Sequence, residues 1–319
     1  SPAPSPAGTR RDAAAAADRA PIRAPAGLRV RAPDLSRPLT ETFPAPTRPQ
    51  EPVRASVLDR INEDRAAARL PPLAWDESAA RIADAFCARQ VEERSRGHFL
   101  MDGIPPYART ALAGIFGLQA ENSVSWITTA RTFAETPLRL ALSGQEQMIS
   151  ERPPQDGHRQ TILDPEATHV GVGWALSAGR FQMAQEFLVR RLERLTLSLP
   201  DSRFAAVRFQ GKPVAGQRLR FVAVAREPEP APLTREAASA RTSYSYPPGY
   251  LAFLPEGTTL LRVSGVANDD RIRVHDGGDF SFLLAPDRAG LFTLVFYISG
   301  SAETPRPGAA ASVWVEGRP

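Results

Sequence analysis

The sequence predicts an α+β unit over residues 53–195 and an all-β unit over 196–319, behind a disordered segment 1–52. Three observations carry this. Up to residue 151, apolar residues recur at helical spacing between helix caps, and just afterwards they alternate. Beyond Arg194, short alternating runs dominate, divided by turn residues. Before Val53, Pro, Ala, Arg and Ser prevail and apolar residues stand singly, too few to offset the entropy of ordering.

The elements follow in order. Ser56 is a candidate N-cap with Asp59 three residues on, and Val57, Leu58 and Ile61 supply an apolar face. Pro71 and Pro72 end that helix near Leu70. Asp76 caps a second helix, whose stripe of Ala79, Ile82, Ala83, Phe86 and Cys87 is apolar. Cys87 lies on the stripe and reads as a small core residue rather than a reactive thiol. A third helix begins at Thr136 with Pro137 in its first turn and runs to about Glu151. Val170, Val172 and Trp174 alternate in one strand, and Phe181, Met183, Gln185 and Phe187 in the next, joined by the turn Ser177, Ala178, Gly179. Helices before strands, without regular βαβ alternation, indicate α+β layers.

In the all-β unit, strands are expected at 204–209, 219–225, 250–254, 260–265, 271–275, 280–284, 291–298 and 312–316. Short strands punctuated this way suggest a β-sandwich, loosely immunoglobulin-like. Residues 227–248 form a long Pro/Ala/Arg loop holding Tyr244 and Tyr246, the expected surface for a protein partner.

Bulk properties exclude several classes. Hydrophobic residues make up 42% and charged residues 23% of 319, as in globular proteins. The net charge of +4 is spread out and nearly all arginine, Lys212 being the sole lysine, with no basic stripe interleaved with aromatics. Nucleic-acid binding is not expected. A single cysteine forbids an internal disulfide framework. No run of 18 apolar residues exists, so no membrane-spanning helix is expected. Ser1 at the start fits a chain from which a secretory signal was removed, with the Pro-rich segment as a tether.

Three segments stand out. One runs from Leu58 through Asn62 and Arg65 to Pro71, Pro72, Leu73, Trp75 and Asp76. The second is Ala120, Glu121, Asn122, Ser123. The third runs from Gly157, His158, Arg159 to Ile162 and Leu163, followed by Val170, Gly171, Val172, Gly173. In order and spacing they resemble the CAP superfamily, the cysteine-rich secretory, antigen 5 and pathogenesis-related proteins, and specifically its bacterial branch lacking disulfides. Ala120 stands where the family usually has glycine.

The resemblance implies an α-β-α sandwich and a cleft with two histidines and two glutamates. Carried over, these are His98, Glu121, His158 and Glu151, the last within Ile149, Ser150, Glu151, Arg152, Pro153. Two imidazoles with carboxylates suit Zn²⁺ or another divalent ion, with His98 and His158 as the metal ligands. The same residues could serve as acid and base, or as an inert hydrogen-bonded network in which each histidine is oriented by a glutamate. A catalytic serine at Ser123 or Ser125 lacks a nucleophile-elbow motif. His169 and His275 read as ordinary surface or edge residues. The expected function is a secreted, periplasmic or cell-surface binding protein holding a divalent metal or a small apolar or glycan ligand, with the β-sandwich as an interaction module. The rivals are a hydrolase of envelope polymers or peptides acting through His98, Glu121, Glu151 and His158, and an assembly subunit in which those residues are inert.

Overall fold

The computed structural model describes residues 27–42, 47–127, 136–249, 251–255, 272–301 and 303–317. The α+β unit is built on a four-stranded sheet in the order β3, β5, β6, β4: β3 is Ala74–Trp75, β4 Leu118–Ile127, β5 His169–Ser177 and β6 Arg180–Val189. β3 and β5 are parallel and the other pairs antiparallel. The β5–β6 turn places Ala178 at φ 48° and Gly179 at φ 71°. Two successive positive-φ residues match the twist of the strands they join.

Helices cover both faces of this sheet. α1 (Pro52–Ala67) and α4 (Thr136–Ser150) contribute Val53, Val57, Leu58, Ile61, Ala141 and Met148 to a core shared with Val170, Val172, Phe181, Met183 and Phe187. α2 (Glu77–Glu93) takes the other face, where Ala83, Phe86 and Cys87 meet Leu100 and Ala184. Alternation along β5 explains both layers: the valines face α1 and α4, and Gly171 and Gly173 face α2. A Cβ on Gly173 would lie 2.1 Å from the Asp84 backbone nitrogen, and one on Gly171 2.2 Å from that of Ala80. Glycine at both positions lets α2 lie directly on the strand. Asp76 caps α2 as expected, accepting from Ala79 N–H at 2.8 Å. α1 instead starts four residues before Ser56, capped by Glu51, whose carboxylate accepts from Val53 and Arg54 N–H.

The opening motif has a physical reason. Asn62 exchanges two hydrogen bonds with the Leu73 backbone, fixing the Pro71, Pro72, Leu73 turn against α1. Arg65, wholly buried, donates to the carbonyls of Pro71, Ile162 and Asp164. It thereby ties α1 to α5 (Gly157–Ile162) and the loop after it.

The second unit consists of two five-stranded antiparallel sheets around one apolar core. One sheet runs β1 (Leu28–Ala32), β14 (Arg306–Gly317), β13 (Gly290–Ser299), β9 (Arg218–Glu227), β10 (Leu251–Phe253). The other runs β11 (Arg273–Val274), β12 (Phe280–Leu284), β8 (Val207–Pro213), β7 (Leu192–Ser198), β2 (Leu39–Thr42). Phe209, Phe280 and Phe282 of one sheet pack with Phe253, Phe292 and Phe296 of the other.

Two expectations need correction here. The segment expected to be disordered through residue 52 contains β1 and β2, and both join the second unit: Leu28 pairs opposite Gly317 and Leu39 opposite Leu197. Their alternating Leu28/Val30 and Leu39 pack on the core, and the energy comes from partners far along the chain. β7 also lies largely before residue 196, yet pairs with β8 and β2. The strand expected at 260–265 lies outside the described residues.

The units are joined by packing as well as by chain. α3 (Pro106–Leu112) lies on β14, and Tyr107, Ala108, Leu291 and Trp314 form a shared cluster with Tyr244 and Tyr246. On another side, Glu41 of β2 accepts from Phe116 N–H at 2.6 Å and from Arg190 at 2.9 Å, and Arg190 also pairs with Asp76 at 2.9 Å.

Candidate functional site

The four residues expected to share a cleft occur as two pairs. His98, in the loop after α2, places Nδ1 2.8 Å from Glu121 Oε1. His158, in the first turn of α5, places Nδ1 2.5 Å from Glu151 Oε1, and its N–H donates to Glu151 Oε2 at 3.0 Å. Both pairs adjoin edge strand β4, from opposite sides. Glu121 and Asn122 are successive, so their side chains leave opposite faces; Asn122 donates to the His158 carbonyl at 3.1 Å.

The surroundings of the pairs differ. Glu121 has no exposed side chain and that of His98 is 10% exposed, whereas His158 and Glu151 are 33% and 21% exposed. Around Glu121 lie residues that the sequence reading did not single out. Arg109 of α3 donates to Glu121 Oε2 and stands with its guanidinium carbon 4.0 Å from the centre of the Phe86 ring. Glu186 of β6 is directly opposite Glu121 in register. Two carboxyls on one face, with one cation between them, cannot both ionise cheaply. Burial first, and then the Glu121 charge, push Glu186 well above the usual carboxylate range, so it keeps the proton of the pair. Gln119 donates to its Oε2 at 2.6 Å. The signal in the sequence was the polar trio Gln182, Gln185 and Glu186 inside an otherwise apolar strand.

Burial, then the nearby Arg109 charge, hold His98 down at about 4. It is therefore neutral at pH 7, its Nδ1–H donating to the Glu121 carboxylate. Tyr244, from the loop of the second unit, closes over it: the two ring centres are 5.1 Å apart, edge to face. The Tyr244 hydroxyl accepts from Glu121 N–H at 2.5 Å and that of Tyr246 from Gln119 N–H at 2.8 Å. This corrects the expectation that Tyr244 and Tyr246 face another protein; they face the α+β unit of their own chain.

Each histidine bonds through Nδ1 to its own glutamate, the arrangement that orients an imidazole with Nε2 outward, and the second Glu121 oxygen is held by the Arg109 guanidinium. Among the described residues, no three His, Cys, Asp or Glu side chains gather as a metal-holding group. Ser123 and Ser125 bond to Gln182 rather than to a histidine. Cys87 is buried against the Gly173 carbonyl, and burial raises its thiol well above the ordinary value. His169 bonds to Thr168 and His275 to Ser281. An open groove of about 540 Å³ lined by Ala120, Gly157, Arg159, Gln160, Leu163 and Pro165 passes beside α5 without either paired histidine in its lining.

Residues 58–189 match the profile of the CAP, or cysteine-rich secretory protein, family. No curated protein sequence matches the chain. An extracellular SCP-domain protein of Bacillus anthracis is 20% identical, with 43% of this chain and 40% of that one covered and a TM-score of 0.33. The chain thus spans well under two-thirds of that protein's length. An outer surface protein of Borrelia burgdorferi is 16% identical, with 46% and 98% covered and a TM-score of 0.36. NaASP2, solved with Zn²⁺, is 11% identical, with 44% and 83% covered and a TM-score of 0.33. The similarity to the CAP family thus covers residues 58–189, the stretch that holds the four-stranded sheet and both His/Glu pairs.

Proposed function

We propose that the chain is a secreted or envelope-associated binding protein. Its CAP domain takes a small apolar or glycan ligand from the half-open His158–Glu151 side. The two-sheet unit, loosely immunoglobulin-like, serves as an interaction module held firmly to it. The observation that carries this reading is the closure of the His98–Glu121 pair. Hydrolysis by an imidazole and a carboxylate requires both groups within reach of substrate. Here Glu121 is wholly enclosed, both its oxygens are engaged, and Tyr244 stands against the imidazole. The His158–Glu151 pair keeps part of its exposure, and the chain neighbours of His158, Gly157 and Arg159, line the open groove beside α5, a concave surface of the kind that takes ligands.

The test is titration calorimetry against purified envelope glycans and peptidoglycan fragments, with mass spectrometry of the recovered ligand. Saturable binding that weakens at least about tenfold in His158→Ala/Glu151→Gln, from the loss of one or two charge-assisted hydrogen bonds, and recovery of intact ligand are expected. Cleavage products that vanish in His98→Ala would contradict the reading.

A further inference from the structure

β9 and β10 are antiparallel neighbours, with Leu251 opposite Val224, yet residues 228–250 separate them. Such neighbours are ordinarily joined by about 2–5 residues, and a longer ordered loop costs entropy that its contacts must offset. The described part of this loop crosses to the CAP domain. Leu233 N–H donates to the Met101 carbonyl at 2.8 Å. A Cβ on Gly103 would lie 2.1 Å from the Ala231 carbonyl oxygen, and one on Gly97 3.0 Å from that of Arg241. Both glycines have positive φ, 82° at Gly97 and 73° at Gly103, so the backbone beside His98 is shaped to receive this strap.

Past Arg241 the strap runs with a two-residue period: Tyr244 and Tyr246 turn inward while Ser243 and Ser245 are exposed. β4 is an edge strand, and the N–H groups of Gln119 and Glu121 point away from its neighbour. The two tyrosine hydroxyls accept from these two groups. The spacing of alternate side chains on an extended segment thus matches the spacing of outward amides on a strand. Unpaired amides on an edge are where extended peptides add to a sheet; here side-chain hydroxyls hold that place. The rings are seated too, Tyr246 stacked on Tyr107 at 4.8 Å and Tyr244 against His98.

We propose that the outer edge of β4 at Gln119 and Glu121 is a docking site for an extended peptide bearing tyrosines at alternate positions, and that residues 241–248 occupy it in cis. Because the strap is anchored at both ends, in β9 and β10, its tyrosines act at high effective concentration. A peptide from a partner binds only when they are displaced. This goes beyond the binding reading above and fails separately from it, since a glycan titration does not report on β4.

The test uses the full chain and a labelled synthetic peptide of residues 241–248, followed by fluorescence anisotropy. Tyr244→Ser/Tyr246→Ser is expected to bind the peptide at least about tenfold more tightly than the unsubstituted chain. A peptide with both tyrosines changed to phenylalanine should bind about tenfold more weakly, from the lost hydroxyl bonds. No binding by the doubly substituted chain, with its circular dichroism unchanged, overturns the proposal. Should the serine pair not fold, Tyr244→Phe/Tyr246→Phe keeps the rings. Amide exchange at Gln119 and Glu121 should then rise about tenfold while β6 keeps its protection. Unchanged exchange at both amides overturns the proposal as well.

Discussion

Replacing Arg109 by methionine removes the cation that faces the Glu121–Glu186 carboxyls while keeping apolar bulk on Phe86. Two routes then remain for Glu121. It can stay ionised without a partner, which costs about 3–5 kcal/mol for a broken buried pair. Or it can take up a proton. At pH 7, protonating a carboxyl with the ordinary glutamate value of 4.5 costs about 3.4 kcal/mol, at 1.36 kcal/mol for each pH unit. The cheaper route sets the outcome, so Arg109→Met should lose about 3 kcal/mol at pH 7. At pH 5 the same uptake costs only about 0.7 kcal/mol, so the loss should shrink to about 1 kcal/mol. The assay is urea unfolding at both pH values, read by fluorescence of Trp75 and Trp174, which sit in the CAP domain core. Adding Glu121→Gln should recover part of the loss at pH 7, because the carboxylate that Arg109 neutralised is gone. A loss below about 1 kcal/mol at pH 7, or one of equal size at pH 5, would refute the reasoning.

Three further outcomes follow from other parts of the structure. Burial raises Glu41 to about 7, with the Arg190 charge opposing. Folded protein therefore binds more protons than unfolded between about pH 4.5 and 7, and stability from this group falls as pH rises through that window. Glu41→Gln should abolish this fall, a difference of up to about 3 kcal/mol from 2.5 pH units, measured as the stability difference from wild type at pH 5 and pH 8. Gly173→Ala forces a methyl group onto the α2 backbone and should cost about 1–3 kcal/mol or more, measured by thermal or urea unfolding; a neutral result would mean that α2 does not lie against β5 as described. The Cys87 thiol should react with Ellman's reagent no faster than the protein unfolds, because it is fully enclosed and kept protonated; rapid labelling of native protein would contradict this.

The CAP domain was legible in the sequence because its signals are local. Asn62, Arg65, Leu73 and Trp75 lie within one helix and turn, and Gly171 and Gly173 alternate with valines in one strand. His98, Glu121, His158 and Glu151 were picked out by collinear motifs, but their spacing did not say which glutamate meets which histidine, nor that they divide into two pairs. Long-range partners were not legible. Leu28 and Val30 form two turns of a strand pleat too short to read alone, and their pairing with β14 lies at the far end of the chain. Arg109 and Glu186 have no motif; only their polarity among apolar neighbours marks them. Tyr244 and Tyr246 sit in a Pro-rich loop whose composition signals exposure, and two hydroxyls that satisfy edge amides leave no trace in a hydrophobic pattern.

The closed state of the cleft is tested most directly at His98. Nitrogen-detected NMR titration of the four imidazoles, assigned by substituting each histidine in turn, resolves its pKa and tautomer. The account predicts that His98 titrates at about 4 and carries its proton on Nδ1 through neutral pH, hydrogen-bonded to Glu121. Removal of Arg109 should raise that value, because its charge opposes protonation. Titration near the free-imidazole value of about 6.5, with no preferred tautomer, would mean that the imidazole stands in solvent and the cleft is open.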